Sequence, residues 1–213
     1  MLAQGNYPER LKFSLIKPIY TSGDKSSPSN YRPISLLPAF SKIFEKVIYK
    51  RLFDHLNNNA ILNEHQYGFR SEVSTENASH ILLNEILAAM SSKQLVGGLF
   101  CDLHKAFDCI NHVVLLQKLK FYGVTGKFYN LVKLYLDGRY QKVILGLNNS
   151  IESTWEKVKQ GVPQGSILGS IFFLIYINDL PKLATIGTKI LLYADDSSII
   201  VTSPNVENFE TNR

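Results

Sequence analysis

Residues 191–200 read LLYADDSSII, and this run limits the fold more than any other stretch of the chain. Its leucines and isoleucines ask for a buried β-strand, yet Asp195 and Asp196 stand side by side within it. A carboxylate in apolar surroundings needs an ion pair, hydrogen bonds or a metal. No Lys or Arg lies within five residues on either side, so one reading is a cation that the chain itself does not supply. The other is a solvated turn in a β-hairpin formed by TKILLYA and SSIIVT. A second β-rich run, GGLFCDL, ends at its own acid, Asp102. If the two strand ends meet in one sheet, three carboxylates converge at its edge. Hard cations such as Mg²⁺ take oxygen ligands of this kind and keep positions open for water and substrate phosphates. Successive strand residues point to opposite faces, so Asp195 and Asp196 act together only where the turn re-aims one of them; Asp195 is the safer ligand.

The rest of the chain mixes helices with hairpins. LKFSLIKPIY (11–20) predicts a strand, and TSGDKSSPSN (21–30) a polar loop. A helix is expected from about Ala39, with Phe40, Ile43, Phe44, Val47, Ile48 and Leu52 at helical spacing, ended by Asn57 to Asn59. A second helix spans roughly 75–92, followed by the strand-like QLVGGLFCDL. Two further helices, HVVLLQKLKFYG and GKFYNLVKLYL, are closed by Gly123 and Gly138. RYQKVILG and SIESTWEKVK are strand-like around a turn at Asn148–Asn149, and the loop QGVPQGS leads into an apolar helix at 167–180. After the acidic hairpin, a last helix starts at Ser203 or Asn205. Steady βαβ alternation is absent, which predicts an α+β fold with a mostly antiparallel sheet.

Composition removes some classes of function. The longest apolar stretch, ILGSIFFLIYI, has 11 residues from Ile167 to Ile177, against about 20 for a membrane span; it reads as a core helix. The first ten residues lack the order of a secretory signal. Cys101 and Cys109 show no metal-ligand spacing and are expected to be reduced thiols. The net charge of +5 is compatible with a polyanionic partner without establishing one.

The motifs carry a resemblance. YADD in a hairpin resembles the catalytic C motif of reverse transcriptases, LFCDLHKAFDCI their A motif, and QGVPQGSILG their B motif. Upstream, YRPISLLPAFSKIFEKVIYKRL and QYGFRSEVST are similar to the two fingers motifs of that family, in the same order. The A-F-D form of motif A and the YRPISLL opening resemble the non-LTR, or LINE-type, retrotransposon branch and favour it over other branches of the same fold, such as group II intron maturases or telomerase.

The resemblance implies a right-hand polymerase with α+β architecture, about residues 1–93 a fingers portion and about 94–213 most of a palm. The thumb and the upstream endonuclease domain are expected to be absent, with a truncated, inert fragment that binds nucleic acid weakly as the alternative function. The implied activity is RNA-directed DNA synthesis on an RNA template and DNA primer, from a dNTP and with two Mg²⁺ ions, Mn²⁺ being a possible substitute. By this resemblance Asp102 and Asp195 would hold the metals and Asp196 would assist. The resemblance also places the Leu103 carbonyl beside the triphosphate as an extra oxygen ligand and Phe107 where the family keeps its steric gate against a 2′-hydroxyl. Pro163, Gln164 and Gly165 meet the nucleotide, with Gly161 and Gly165 allowing close approach and Ser166 capping the next helix. Arg70 and Arg32 are candidates for gripping the triphosphate, and Lys42, Lys46, Lys50 and Arg51 for lining the template path. His104 stands where the family has Ser or Thr; Asp108 is expected to bond backbone near Asn111. An intracellular ribonucleoprotein, nuclear or cytoplasmic and with no membrane segment, is the implied setting.

Overall fold

The computed structural model describes residues 4–70, 73–103, 105–146, 151–205 and 209. The chain divides into two compact units, each assembled from separated segments. The first comprises Met1–Asn59 and Phe107–Ile175, the second Ala60–Ala106 and Tyr176–Arg213.

In the first unit, β1 (Phe13–Tyr20) and β2 (Tyr31–Leu36) pair antiparallel, and β1 pairs parallel with β4 (Tyr140–Leu145). Two short strands, β5 (Ile151–Glu152) and β6 (Glu156–Lys157), complete the five-stranded sheet against β4. The expected turn at Asn148–Asn149 lies outside the described residues. Helix α1 (Ala39–Asn58) starts just after Pro38 and ends at Asn59, whose side-chain amide donates to the His55 carbonyl at 2.7 Å. Ile48, Leu52 and Leu56 recur every fourth residue and are fully buried, which is the helical period at work. The expected apolar stripe is only half inside: Phe40, Ile43 and Val47 are exposed, and Ser41 and Glu45 take the buried places. Helices α3 (His112–Phe121) and α4 (Gly126–Leu136) follow, α3 opened by Asn111, whose side chain accepts from the amides of Val113 and Val114.

Helix α5 (Ile167–Ile177) buries Ile171, Phe172, Phe173, Leu174 and Ile175 almost completely, about 1.5–3 kcal/mol for each side chain removed from water. Its apolar character is that of a core helix. Among the described residues, no helix is long and apolar enough to cross a membrane.

The second unit holds a three-stranded antiparallel sheet in the order β3 (Leu95–Asp102), β8 (Asp196–Ser203), β7 (Thr188–Tyr193). The mostly antiparallel fold expected from the sequence is therefore present as two sheets, with β1–β4 as a parallel pair. Helix α2 (Thr75–Ser91) begins with a capping box between Ser74 and Asn77. Its Ala78, Ile81 and Leu82 pack with Val73, Val96 and Tyr193 around buried Tyr67, Leu191 and Ile200. Beyond β8, the Ser203 hydroxyl bonds the Asn205 backbone, and the last helix expected from the sequence lies almost wholly outside the described residues.

Candidate active site

Strand register brings the acids together. β3 runs against β8 from Leu95↔Ser203 to Asp102↔Asp196, so Asp102 stands directly across from Asp196 on one face of the sheet. The β7–β8 hairpin closes on Tyr193↔Asp196, which makes Ala194 and Asp195 its two-residue loop. Asp196 therefore opens the strand rather than sharing the turn. The amide of Leu103 donates to the Asp195 carbonyl at 3.1 Å. Residues 102–103 and 195–196 are thus neighbours along one ladder end, with Asp102 and Asp196 exposed and Asp195 half-buried.

The turn is held in an unusual shape. Ala194 has φ +54°, a value that costs an L-residue about 1–2 kcal/mol. A positive φ at the first loop position of a two-residue hairpin is the position where Gly is preferred. What offsets it is the segment HQYGFR. Tyr67 N–H donates to the Leu192 carbonyl and Leu192 N–H to the His65 carbonyl, both at 2.8 Å. Gln66 Oε1 accepts from the amides of Gly68 at 2.7 Å and Ala194 at 3.3 Å. A Cβ on Gly68 would stand 2.1 Å from the Ala194 nitrogen, so only glycine fits. Gln66 escaped the sequence reading, since nothing in the letters marks its amide as buried.

The donor set suits a hard divalent cation. It consists of carboxylates with no ion-pair partner among the described residues, beside backbone carbonyls. Among the described residues, no group of three or more His, Cys, Asp and Glu side chains is arranged to hold a metal. The convergence of three carboxylates expected from the sequence is not found among the described residues. Mg²⁺ in phosphoryl-transfer sites is ordinarily held by one or two carboxylates with substrate phosphates supplying the rest, and that number is available here.

Motif B lies in the first unit and is fastened to the last residues of motif A. Val162 N–H donates to the Phe107 carbonyl at 2.9 Å and Gly161 N–H to that of Ile110 at 2.8 Å. The Gly161 carbonyl is bonded by His112 Nε2 at 2.7 Å. Gly161 has φ +80°, and a Cβ there would meet the Asp108 carbonyl oxygen at 2.7 Å. Its close approach in this structure is to Asp108 backbone. Gly165, at φ +103°, sits beside the Ser35 carbonyl. Ser166 caps α5 as expected, its hydroxyl accepting from Gly169 N at 3.0 Å. Phe107 packs against Phe173 with ring centroids 5.4 Å apart.

Asp108 does not bond backbone near Asn111, as the sequence suggested. Asn111 caps α3 by itself, and both Asp108 oxygens accept from Gln164 Nε2 at 3.0 Å. Arg70 Nη1 donates to the carbonyls of Asn63 at 3.0 Å and Gln66 at 3.3 Å, so part of its guanidinium is engaged in its own loop. Arg32, exposed on β2, has no hydrogen-bond or ion-pair partner among the described residues. Lys42, Lys46, Lys50 and Arg51 are exposed along α1. His104 lies outside the described residues.

A buried network that sequence reasoning missed underlies motif B. Glu45, fully buried, accepts from Ser41 Oγ at 3.0 Å, Tyr135 Oη at 3.3 Å and the Ile167 amide at 2.8 Å. The last bond caps α5 with a carboxylate, which its N-terminal dipole favours. Arg139, almost wholly buried, lies 4.7 Å from the Tyr135 ring centroid. Burial pushes the hydroxyls of Tyr7 and Tyr135 above the ordinary tyrosine range, and the Glu45 charge acts in the same direction.

An α+β fold with an acid-bearing hairpin and a glycine-rich loop before an apolar helix defines a polymerase-like class. Residues 23–211 match the family described as reverse transcriptase (RNA-dependent DNA polymerase), and the chain belongs to that family. Among curated relatives, a probable RNA-directed DNA polymerase from transposon X-element of Drosophila melanogaster is 36% identical over 92% of this chain and 22% of its own length. The RNA-directed DNA polymerase from mobile element jockey of the same fly is 30% identical over 97% and 23%. The chain thus spans less than a quarter of these relatives. Two telomerase structures share the fold. The apo enzyme of Candida tropicalis, truncated from its C-terminal domain, has a TM-score of 0.65 at 17% identity, over 94% of this chain and 45% of that one. Telomerase of Candida albicans with a telomeric RNA fragment gives 0.63 at 13%, over 94% and 39%.

Proposed function

We propose that this chain carries the fingers and most of the palm of a non-LTR retrotransposon reverse transcriptase and catalyses RNA-directed DNA synthesis. The primer 3′-hydroxyl attacks the α-phosphate of a dNTP, and pyrophosphate leaves. Asp102 and Asp195 hold two Mg²⁺ ions, with Mn²⁺ a possible substitute, and Asp196 assists. When bound there, the ions would supply neutralisation of charge on the transferring phosphate. The Leu103 carbonyl adds an oxygen beside the triphosphate.

Phe107 sets its ring against the sugar, with no room for a 2′-hydroxyl. Gln164 and Gly165 meet the nucleotide, and Arg70 and Arg32 grip phosphate oxygens. Template and primer are held through their phosphates, with the α1 lysines along the template path.

The observation that carries this reading is the pairing of Asp102 with Asp196 at the same ladder end where Leu103 bonds Asp195. Primer extension on an RNA template with Mg²⁺ or Mn²⁺ tests it. Incorporation by the wild type and its loss in Asp195→Ala is the expected result. Salt-sensitive nucleic-acid binding without incorporation would refute it in favour of an inert fragment.

A further inference from the structure

The Asp108–Gln164 contact has a consequence for substrate recognition that rests on the polymerase reading. An ionised carboxylate only accepts hydrogen bonds, so the end of the Gln164 amide that faces both Asp108 oxygens at 3.0 Å must be the NH₂ group. That decides the orientation of a side chain whose two ends are otherwise nearly interchangeable in shape.

Both partners are anchored through their backbones. Gly161 presses on Asp108 with no space for a Cβ. The Ser35 amide donates to the Gln164 carbonyl at 2.8 Å, and Val162 N–H is bonded to the Phe107 carbonyl at 2.9 Å. The remaining polar atom of the Gln164 side chain, Oε1, has no hydrogen-bond partner among the described residues. The two side chains also line a cavity of about 270 Å³ with Ser14, Ser35, Gln141 and Gln160.

We propose that Asp108 is a positioning residue: by holding Nε2 it leaves Gln164 an acceptor only, so that Gln164 selects a hydrogen-bond donor on the incoming nucleotide. The last acid of A-F-D thereby acts on nucleotide binding through motif B, with no contact of its own to the reacting atoms. Removing it frees the amide to rotate and to present its NH₂ to the same donor, which is a repulsive pairing.

Steady-state primer extension with the variants Asp108→Leu, Asp108→Asn and Gln164→Leu tests this. Asp108→Leu is expected to raise KM for each dNTP about tenfold, the loss of one hydrogen bond to a charged group, with kcat changed less than about threefold. Asp108→Asn keeps one oxygen facing Nε2 and should raise KM less than about threefold. The double variant Asp108→Leu/Gln164→Leu should be no worse than Gln164→Leu alone. Multiplying effects, Asp108→Asn as harmful as Asp108→Leu, or a fall in kcat at unchanged KM would overturn the proposal.

A second measurement does not depend on turnover. The Gln164 side-chain ¹⁵N–¹H₂ resonances, assigned by their loss in Gln164→Leu, should move strongly in Asp108→Leu and little in Asp108→Asn. Unmoved resonances in a folded Asp108→Leu protein would also overturn it. A wild type that extends no primer, with those resonances behaving as expected, would instead remove the polymerase reading and with it the nucleotide as the selected partner.

Discussion

Ala194 and Gly68 show how much the acidic hairpin depends on residues that carry no chemistry. The positive φ of Ala194 is maintained by a glycine whose missing side chain lets the HQYGFR segment lie against the turn. Gly68→Ala would place a methyl group 2.1 Å from the Ala194 nitrogen, so backbone must shift, at a cost of about 1–3 kcal/mol for overpacking. The urea midpoint should fall accordingly, and an unchanged midpoint would contradict the packing described. The acids themselves were legible as letters, because two carboxylates in an apolar run have few physical explanations. Gln66 was not legible, since a buried amide is spelled the same way as an exposed one. Asp108 was read as structural, and its partner Gln164, 56 positions away, could only be found in three dimensions.

At the scale of elements, the Glu45 network joins α1, α4 and α5 through Ser41, Tyr135 and the Ile167 amide. Burial raises Tyr135 above its ordinary value of 10.0. For a group whose folded pKa lies above its unfolded one, the stabilisation is fully present below the unfolded value and is lost as pH rises from there towards the folded one. The Tyr135 contribution to the urea midpoint should therefore be constant up to about pH 10, the ordinary tyrosine value, and fall above it. Tyr135→Phe, which cannot ionise, should flatten that fall; an identical decline in the variant would count against the buried phenol. The approximate limits of α1, α2, β1, β3 and the hairpin followed from apolar patterning and turn residues in the sequence. What periodicity could not give was the face of α1. Its apolar residues outnumber the buried places, and Phe40 and Ile43 lose theirs to Ser41 and Glu45 because the network needs polar groups inside. The short β5 and β6 likewise owe their pairing to β4 rather than to any propensity of two residues.

For the whole molecule, the family follows from five motifs in order and from the match over residues 23–211. The net charge of +5 and the exposed lysines of α1 predict binding to a primer–template duplex that weakens linearly in log affinity against log salt. Fluorescence anisotropy at a series of NaCl concentrations measures it, and an affinity indifferent to salt would exclude phosphate contacts as its source. The central claim is narrower: Asp102 and Asp195 share divalent ions. Titration of Mn²⁺ in the presence of a non-hydrolysable dNTP analogue, followed by the electron paramagnetic resonance of the free ion, tests it most directly. Wild type should take up Mn²⁺, and Asp102→Asn and Asp195→Asn should each lose that uptake while remaining folded. Uptake by both variants equal to that of the wild type would contradict the account.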